Sequence, residues 1–342
     1  MTPARWISPR VDRCFLKRVC ATLGASLVMA AAGLHGAAAH ADEISVTQWG
    51  SSLYGLPYAA AMDKGLFRKA GVDITGILTS GGGGTTARNI LASKMPYGEV
   101  AVAAALAAQR QRHDLVIVNV GTRSVAEASM VTMPNSTVHS VADLTGKKVA
   151  ITSPRGVSEM LLLMVLKAKG VDAGKVQRVA SGGYVNGLTM LEQGAVSGAV
   201  LIEPLSIIRQ DRYRTFYRAG DVLQPMTTSV GITTREFAKS HPDELRAIIA
   251  GRRAGVDAVY ADPAGAAKLL ETSFRLTPDV AREAVDNMVK SHMWSTGEFD
   301  RTELDRMTDG LKLIGELDGD VDWSKLVDTS FLPADLKARS KL

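Results

Sequence analysis

The chain has 342 residues, 46% hydrophobic and 22% charged, which is long enough for two globular domains. Its formal charge of +5 belongs mostly to the first 41 residues, which hold five of the 40 Lys and Arg and one of the 35 Asp and Glu. The remainder carries only +1. A body so near neutrality excludes electrostatic capture of nucleic acid as its task.

The opening segment reads as an export signal. Arg5, Arg10, Arg13, Lys17 and Arg18 precede an apolar stretch at 19–33, and Ala39-His40-Ala41 forms an A-x-A cleavage site. Asp42 is then the mature N-terminus. The apolar stretch is rich in Ala and Gly and too short to span a bilayer well. Asp12-Arg13-Cys14-Phe15-Leu16-Lys17 resembles a twin-arginine motif with Asp in place of the first Arg, which points to the general secretory route and a periplasmic location. Cys14 and Cys20 leave with the signal, and Lys17-Arg18-Val19 is no lipobox, so no lipid anchor is expected. The mature chain has no thiol chemistry, disulfide or cysteine metal site. His113, His139, His241 and His292 stand singly with no i, i+4 pair, and neither a metal nor a cofactor is expected.

Residues 44–48 alternate apolar and polar and read as a strand. It runs into a loop carrying Trp49, Ser51, Ser52 and Tyr54. A helix over 56–64 closes at Gly65, and a strand over 72–78 completes a βαβ unit. The run Ser80-Gly81-Gly82-Gly83-Gly84-Thr85-Thr86 follows, then a helical pattern over 87–94. Glycines there let the backbone approach a ligand and expose N–H groups, with Thr85 or Thr86 as helix cap. The alternative is a flexible linker. A strand at 100–103, a helix at 104–112 and an apolar strand at 115–120 follow, and after Gly121 the chain leaves the first lobe.

The second lobe begins with strands at 131–133 and 149–151. Residues 146–170 read as strand, tight loop and helix, with Gly170 as a left-handed stop. A helix N-terminus at a strand's carboxyl end offers free N–H groups, and Ser153, Arg155, Gly156 and Ser158 sit there, so a small anion could be held. The alternative is an ordinary βα turn with a serine cap. The GxxxxGK[ST] spacing of a nucleotide-binding loop is missing. A strand at 176–179, a helix near 187–193 and a strand at 199–202 repeat the rhythm. The last ends at Glu203-Pro204, where a carboxylate either faces the crevice of an open sheet or lies in a solvated loop. Another strand is expected over 227–233. Helices then start at Pro242, Pro263 and Pro278, the first with a buried stripe of Leu245, Ile248, Ile249, Val256 and Val259.

Taken together, the chain resembles the nitrate/sulfonate/taurine and thiamine-pyrimidine family of periplasmic substrate-binding proteins of ABC importers. The resemblance rests on Leu56-Pro57-Tyr58-Ala59-Ala60-Ala61-Met62-Asp63-Lys64-Gly65-Leu66-Phe67, the glycine run at 81–84, Asp143-Leu144-Thr145-Gly146-Lys147-Lys148-Val149-Ala150, Glu203-Pro204, the segment 236–242 and Val321-Asp322-Trp323. It implies the two-lobed periplasmic-binding-protein fold (type II), an α/β architecture whose ligand cleft lies between lobes joined by two hinge strands. Lobe 1 would comprise 42–125 and 228–342, lobe 2 would be 126–227, and the hinges would lie near 121–126 and 227–231. The implied ligand residues are Trp49, Ser51, Tyr54, Gly82, Gly83, Gly84, Thr85, Ser153, Arg155, Gly156, Ser158, Tyr184 and Glu203. Two positions depart from the family's pattern: Ile202 where many relatives carry an aromatic residue, and Ala101 where an acidic residue is usual.

The expected function is therefore that of a monomeric solute-binding protein serving an ABC permease and its ATPase. A sulfonate, a carboxylate or a zwitterion such as taurine would meet Arg155 and Glu203, and a pyrimidine is the alternative ligand. An enzyme of the related pyrimidine-synthase type would need a cysteine-rich motif that the mature chain lacks. A serine hydrolase fails because Gly156-Val157-Ser158-Glu159-Met160 lacks the second glycine of a nucleophile elbow. A sensor or adaptor built on the same lobes remains open.

Overall fold

The computed structural model describes residues 42–111 and 114–342; the expected export signal with its two cysteines, and His113, lie outside the described residues. The first stretch contains β1 (Asp42–Thr47), α1 (Leu56–Asp63), α2 (Leu66–Ala70), β2 (Ile74–Ser80), α3 (Gly83–Ala92), β3 (Tyr97–Ala101), α4 (Val102–Arg110) and β4 (Leu115–Thr122). The second contains β5 (Ala128–Thr132), β6 (Lys148–Ile151), α5 (Val157–Ala168), β7 (Gln177–Ala180), α6 (Tyr184–Glu192), β8 (Gly198–Ile202), α7 (Leu205–Ile208) and β9 (Arg214–Arg218). The chain ends with β10 (Ser229–Thr234), α8 (Arg235–Ser240), α9 (Pro242–Ala261), α10 (Pro263–Phe274), α11 (Pro278–Lys290), α12 (Arg301–Leu313) and α13 (Ala334–Arg339).

Two five-stranded sheets share one plan, β2-β1-β3-β10-β4 and β7-β6-β8-β5-β9. In each, three parallel strands are followed by one antiparallel strand that arrives from the other sheet, β10 in the first and β5 in the second. The chain passes from the first sheet to the second between Thr122 and Ala128 and returns between Arg218 and Ser229. β4 is buried along its whole length, as its Leu-Val-Ile-Val run suits a strand covered on both faces.

The expected stripe of α9 is buried at all five positions, but it also carries Arg252, only 1% exposed. Elsewhere α3, α4 and α6 start earlier than the pattern suggests. Gly83 and Gly84 are not loop but the first turn of α3, with Gly82 as an extended N-cap. Neither Thr85 nor Thr86 caps that helix. Thr86 is buried and hydrogen-bonds to the Thr47 and Ser80 hydroxyls at 2.8 and 2.6 Å. β9 and α12 were not expected. The start of α12 is fixed by Asp300, whose carboxylate accepts from the N–H groups of Thr302 and Glu303.

A buried polar network holds the two crossing strands together. Arg252 pairs with Glu99 of β3 at 3.2 Å and donates to the backbone carbonyls of Ser295 (2.7 Å) and Gly121 (2.6 Å). Tyr58 and Ser229 donate to the two Glu99 oxygens at 2.8 and 2.6 Å. Ser229 in turn shares a hydrogen bond with Thr122, and Thr122 another with Thr228, both at 2.6 Å. Gly121 has to be glycine here, since a Cβ would sit 2.2 Å from Glu99 Oε1.

Candidate functional site

A cavity of about 190 Å³ lies at the carboxyl ends of the parallel strands, walled from both sheets. The first-sheet side supplies Thr47 and Gln48 after β1, Tyr54, the start of α3 at Gly82 and Gly83, the start of α4 at Ala101 and Ala103, and Thr228. The second-sheet side supplies Glu127 and Ala128, Val157 to Leu161 of α5 apart from Glu159, Tyr184 at the start of α6, and Val200 and Ile202 of β8. Ser124 and Val125 come from the first crossing, and Met307 from α12 closes the wall. Most of this surface is apolar. Among the described residues, no Lys, Arg, His or Cys is part of it.

Of the expected site residues, Tyr54, Gly82, Gly83, Ser158 and Tyr184 meet in this cavity. Gly83 also lets α3 lie against α4, because a Cβ there would fall 2.3 Å from that of Ala104. The Ser158 hydroxyl accepts from the Thr152 N–H at 2.9 Å, which fixes the start of α5 at the wall. Four helix N-termini, those of α3, α4, α5 and α6, thus contribute to one small space, and each brings partial positive charge.

The other expected residues are placed elsewhere. Trp49 packs edge-on against Phe274 at 4.9 Å and covers Gly55, so its ring is spent on packing. Ser51 is exposed and donates to the Gln48 carbonyl. Gly84 and Thr85 lie on the outer side of the first turn, where Thr85 accepts from Arg88. Ser153 and Gly156 pack against each other outside the cavity. Arg155 is 60% exposed on its side chain and turns to Glu316 at 2.9 Å and to the Gly315 carbonyl.

Glu203 is neither in the crevice nor in solvent. It is fully buried, accepts from Arg218, and takes both its oxygens to the Asn287 amide at 3.1 and 3.2 Å. Burial pushes its pKa up to about 7, with the Arg218 guanidinium and the Asn287 amide pulling the other way.

The carboxylate that does line the cavity is Glu127, which was not expected. It sits one residue before β5, at the end of the first crossing, and is half-buried. The Ser52 hydroxyl donates to it at 3.3 Å. Burial pushes its pKa up to about 7; the Ser52 and Tyr54 hydroxyls and the Leu53 N–H oppose this, while Glu203 adds to it. Burial, with Glu127 and Glu99 nearby, also holds the Tyr54 phenol well above its ordinary value, so it stays neutral. The sequence signal is an acid in the apolar run Val125-Ala126-Glu127-Ala128, just after the expected hinge at 121–126.

The family model described as NMT1/THI5 like matches residues 53–266. No protein of curated function matches the chain. Among solved structures, the periplasmic aliphatic sulphonate binding protein SsuA of Escherichia coli is 18% identical with a TM-score of 0.68, over 83% of this chain and 96% of its own. The alkanesulfonate-binding SsuA of Xanthomonas axonopodis pv. citri, bound to MOPS, is 16% identical with a TM-score of 0.66, over 84% and 99%. The periplasmic nitrate-binding protein NrtA of Synechocystis PCC 6803 is 14% identical with a TM-score of 0.67, over 87% of each chain. At such identities the likeness establishes the fold: the two sheets form a periplasmic-binding-protein architecture.

Proposed function

The chain belongs to the NMT1/THI5-like family, and on that premise we propose that it is the extracytoplasmic solute-binding component of an ABC importer. In this reading it works as a monomer in the periplasm, captures one small organic molecule and delivers it to a membrane permease and its ATPase. The observation that carries the reading is the small, mostly apolar cavity walled from both sheets, with helix N-termini and hydroxyls as its polar points.

The helix starts of α3 and α5 suit an acceptor group such as a sulfonate or carboxylate. A second reading, a pyrimidine, is supported by the Tyr54 and Tyr184 rings at the wall. The crossings at 122–128 and 218–229 are the natural hinges between lobes at 42–125 with 228–342 and at 126–227.

Thermal denaturation against a panel of sulfonates, carboxylates, amines and pyrimidines tests this. A true ligand at 100 times its Kd adds about 2.7 kcal/mol and raises Tm, and small-angle scattering then shows a smaller radius of gyration. No shift with any member, together with turnover of one of them, overturns it.

A further inference from the structure

We infer that the ligand carries an ammonium or similarly cationic nitrogen, and that Glu127 is the residue that selects it. The inference rests on the solute-binding reading and names the ligand's chemistry within it.

Glu127 is a carboxylate on the wall of a mostly apolar cavity, and no basic side chain shares that wall. Tyr54 and Tyr184 are phenols that burial keeps neutral. Glu203, behind the wall, is engaged by Arg218 and Asn287 and cannot lend Glu127 a cation. Arg155 is committed to Glu316. From the protein, Glu127 receives only neutral donors, the Ser52 hydroxyl at 3.3 Å with the Tyr54 hydroxyl and the Leu53 N–H beside it, and none of them supplies a counter-charge.

Burying a carboxylate without a counter-charge is costly, and the group either takes up a proton or acquires a cation. With its pKa pushed up to about 7 by burial, Glu127 sits at the balance between these states near neutrality. A cationic ligand tips it. The ionised form then gains a charge-assisted hydrogen bond inside a low-dielectric space, which neutral or anionic molecules cannot offer. The helix starts on the opposite chemistry, at Gly83 and Ser158, leave room for an acceptor group on the same molecule.

Titration calorimetry with three matched pairs tests this: 2-aminoethanesulfonate against 2-hydroxyethanesulfonate, 3-aminopropanoate against 3-hydroxypropanoate, and benzylamine against benzyl alcohol. At least one ammonium member should bind tenfold or more tighter than its hydroxyl partner. Glu127→Gln, with fold confirmed by circular dichroism and melting, should abolish that preference, and Glu127→Asp should retain part of it. Because the ionised carboxylate is the binding form, affinity for the amine should rise with pH, about 30-fold between pH 5.5 and 8.5 for a group titrating near 7.

Three results overturn the inference: no ammonium member binding, a preference that survives in folded Glu127→Gln, or affinity that rises as pH falls. Binding of hydroxyl or anionic members without amine preference overturns it while leaving the importer reading intact. Only the broader panel above overturns that.

Discussion

Replacing Arg252 by Met isolates the energetic centre of the molecule. Arg252 is 1% exposed and Glu99 fully buried, and the guanidinium donates to Glu99, Tyr58, Ser295 and Gly121 at 2.6–3.2 Å. Burial disfavours its charge, and the Glu99 carboxylate more than offsets this. Met keeps most of the stem's packing but strands a buried carboxylate, a loss of about 3–5 kcal/mol. Two backbone carbonyls also lose their donors, each worth about 1 kcal/mol net. Against this, the Tyr58 and Ser229 hydroxyls still donate to Glu99. The expected loss is therefore about 4 kcal/mol, a large share of the roughly 5–15 kcal/mol typical of a folded protein. Urea denaturation followed by circular dichroism measures it, with the Glu99→Gln single and the double variant completing a cycle. The double variant carries no unpaired charge, so it should be about 2 kcal/mol more stable than the sum of the single effects implies. A single-variant loss below about 1 kcal/mol, or strict additivity, would refute the reasoning.

Two further outcomes follow from the site. Arg155→Ala should change affinity for any ligand by less than about 1 kcal/mol, because the Arg155–Glu316 pair is 60% and 36% exposed and solvent screens it; calorimetry giving a loss above 2 kcal/mol would place Arg155 at the ligand after all. Gly83→Ala should weaken binding and cost about 1–3 kcal/mol of stability, since the new methyl would fall 2.3 Å from Ala104 Cβ and push the start of α3 away; unchanged melting and affinity would show that α3 is free to shift.

The sequence alone determined what depends on neighbours a few residues away. The βα rhythm, the helix starts at Pro242, Pro263 and Pro278, and the buried stripe of α9 all follow from local periodicity and backbone chemistry, and the structure repeats them. The two-lobed fold was legible through the order of such segments. Within the stripe, though, nothing local distinguished Arg252 from a surface arginine. Its partner Glu99 lies 153 residues away.

The same distance limit decided the site. Which carboxylate lines the cavity depends on Ser52 meeting Glu127 across 75 residues, and on Asn287 and Arg218 claiming Glu203 across 84 and 15. Arg155 looked ready for an anion in its own loop, yet its guanidinium meets the Gly315 carbonyl 160 residues on. A loop's composition sets which side chains are offered. Long-range packing between the two sheets sets which of them still lack a partner, and only those can serve a ligand.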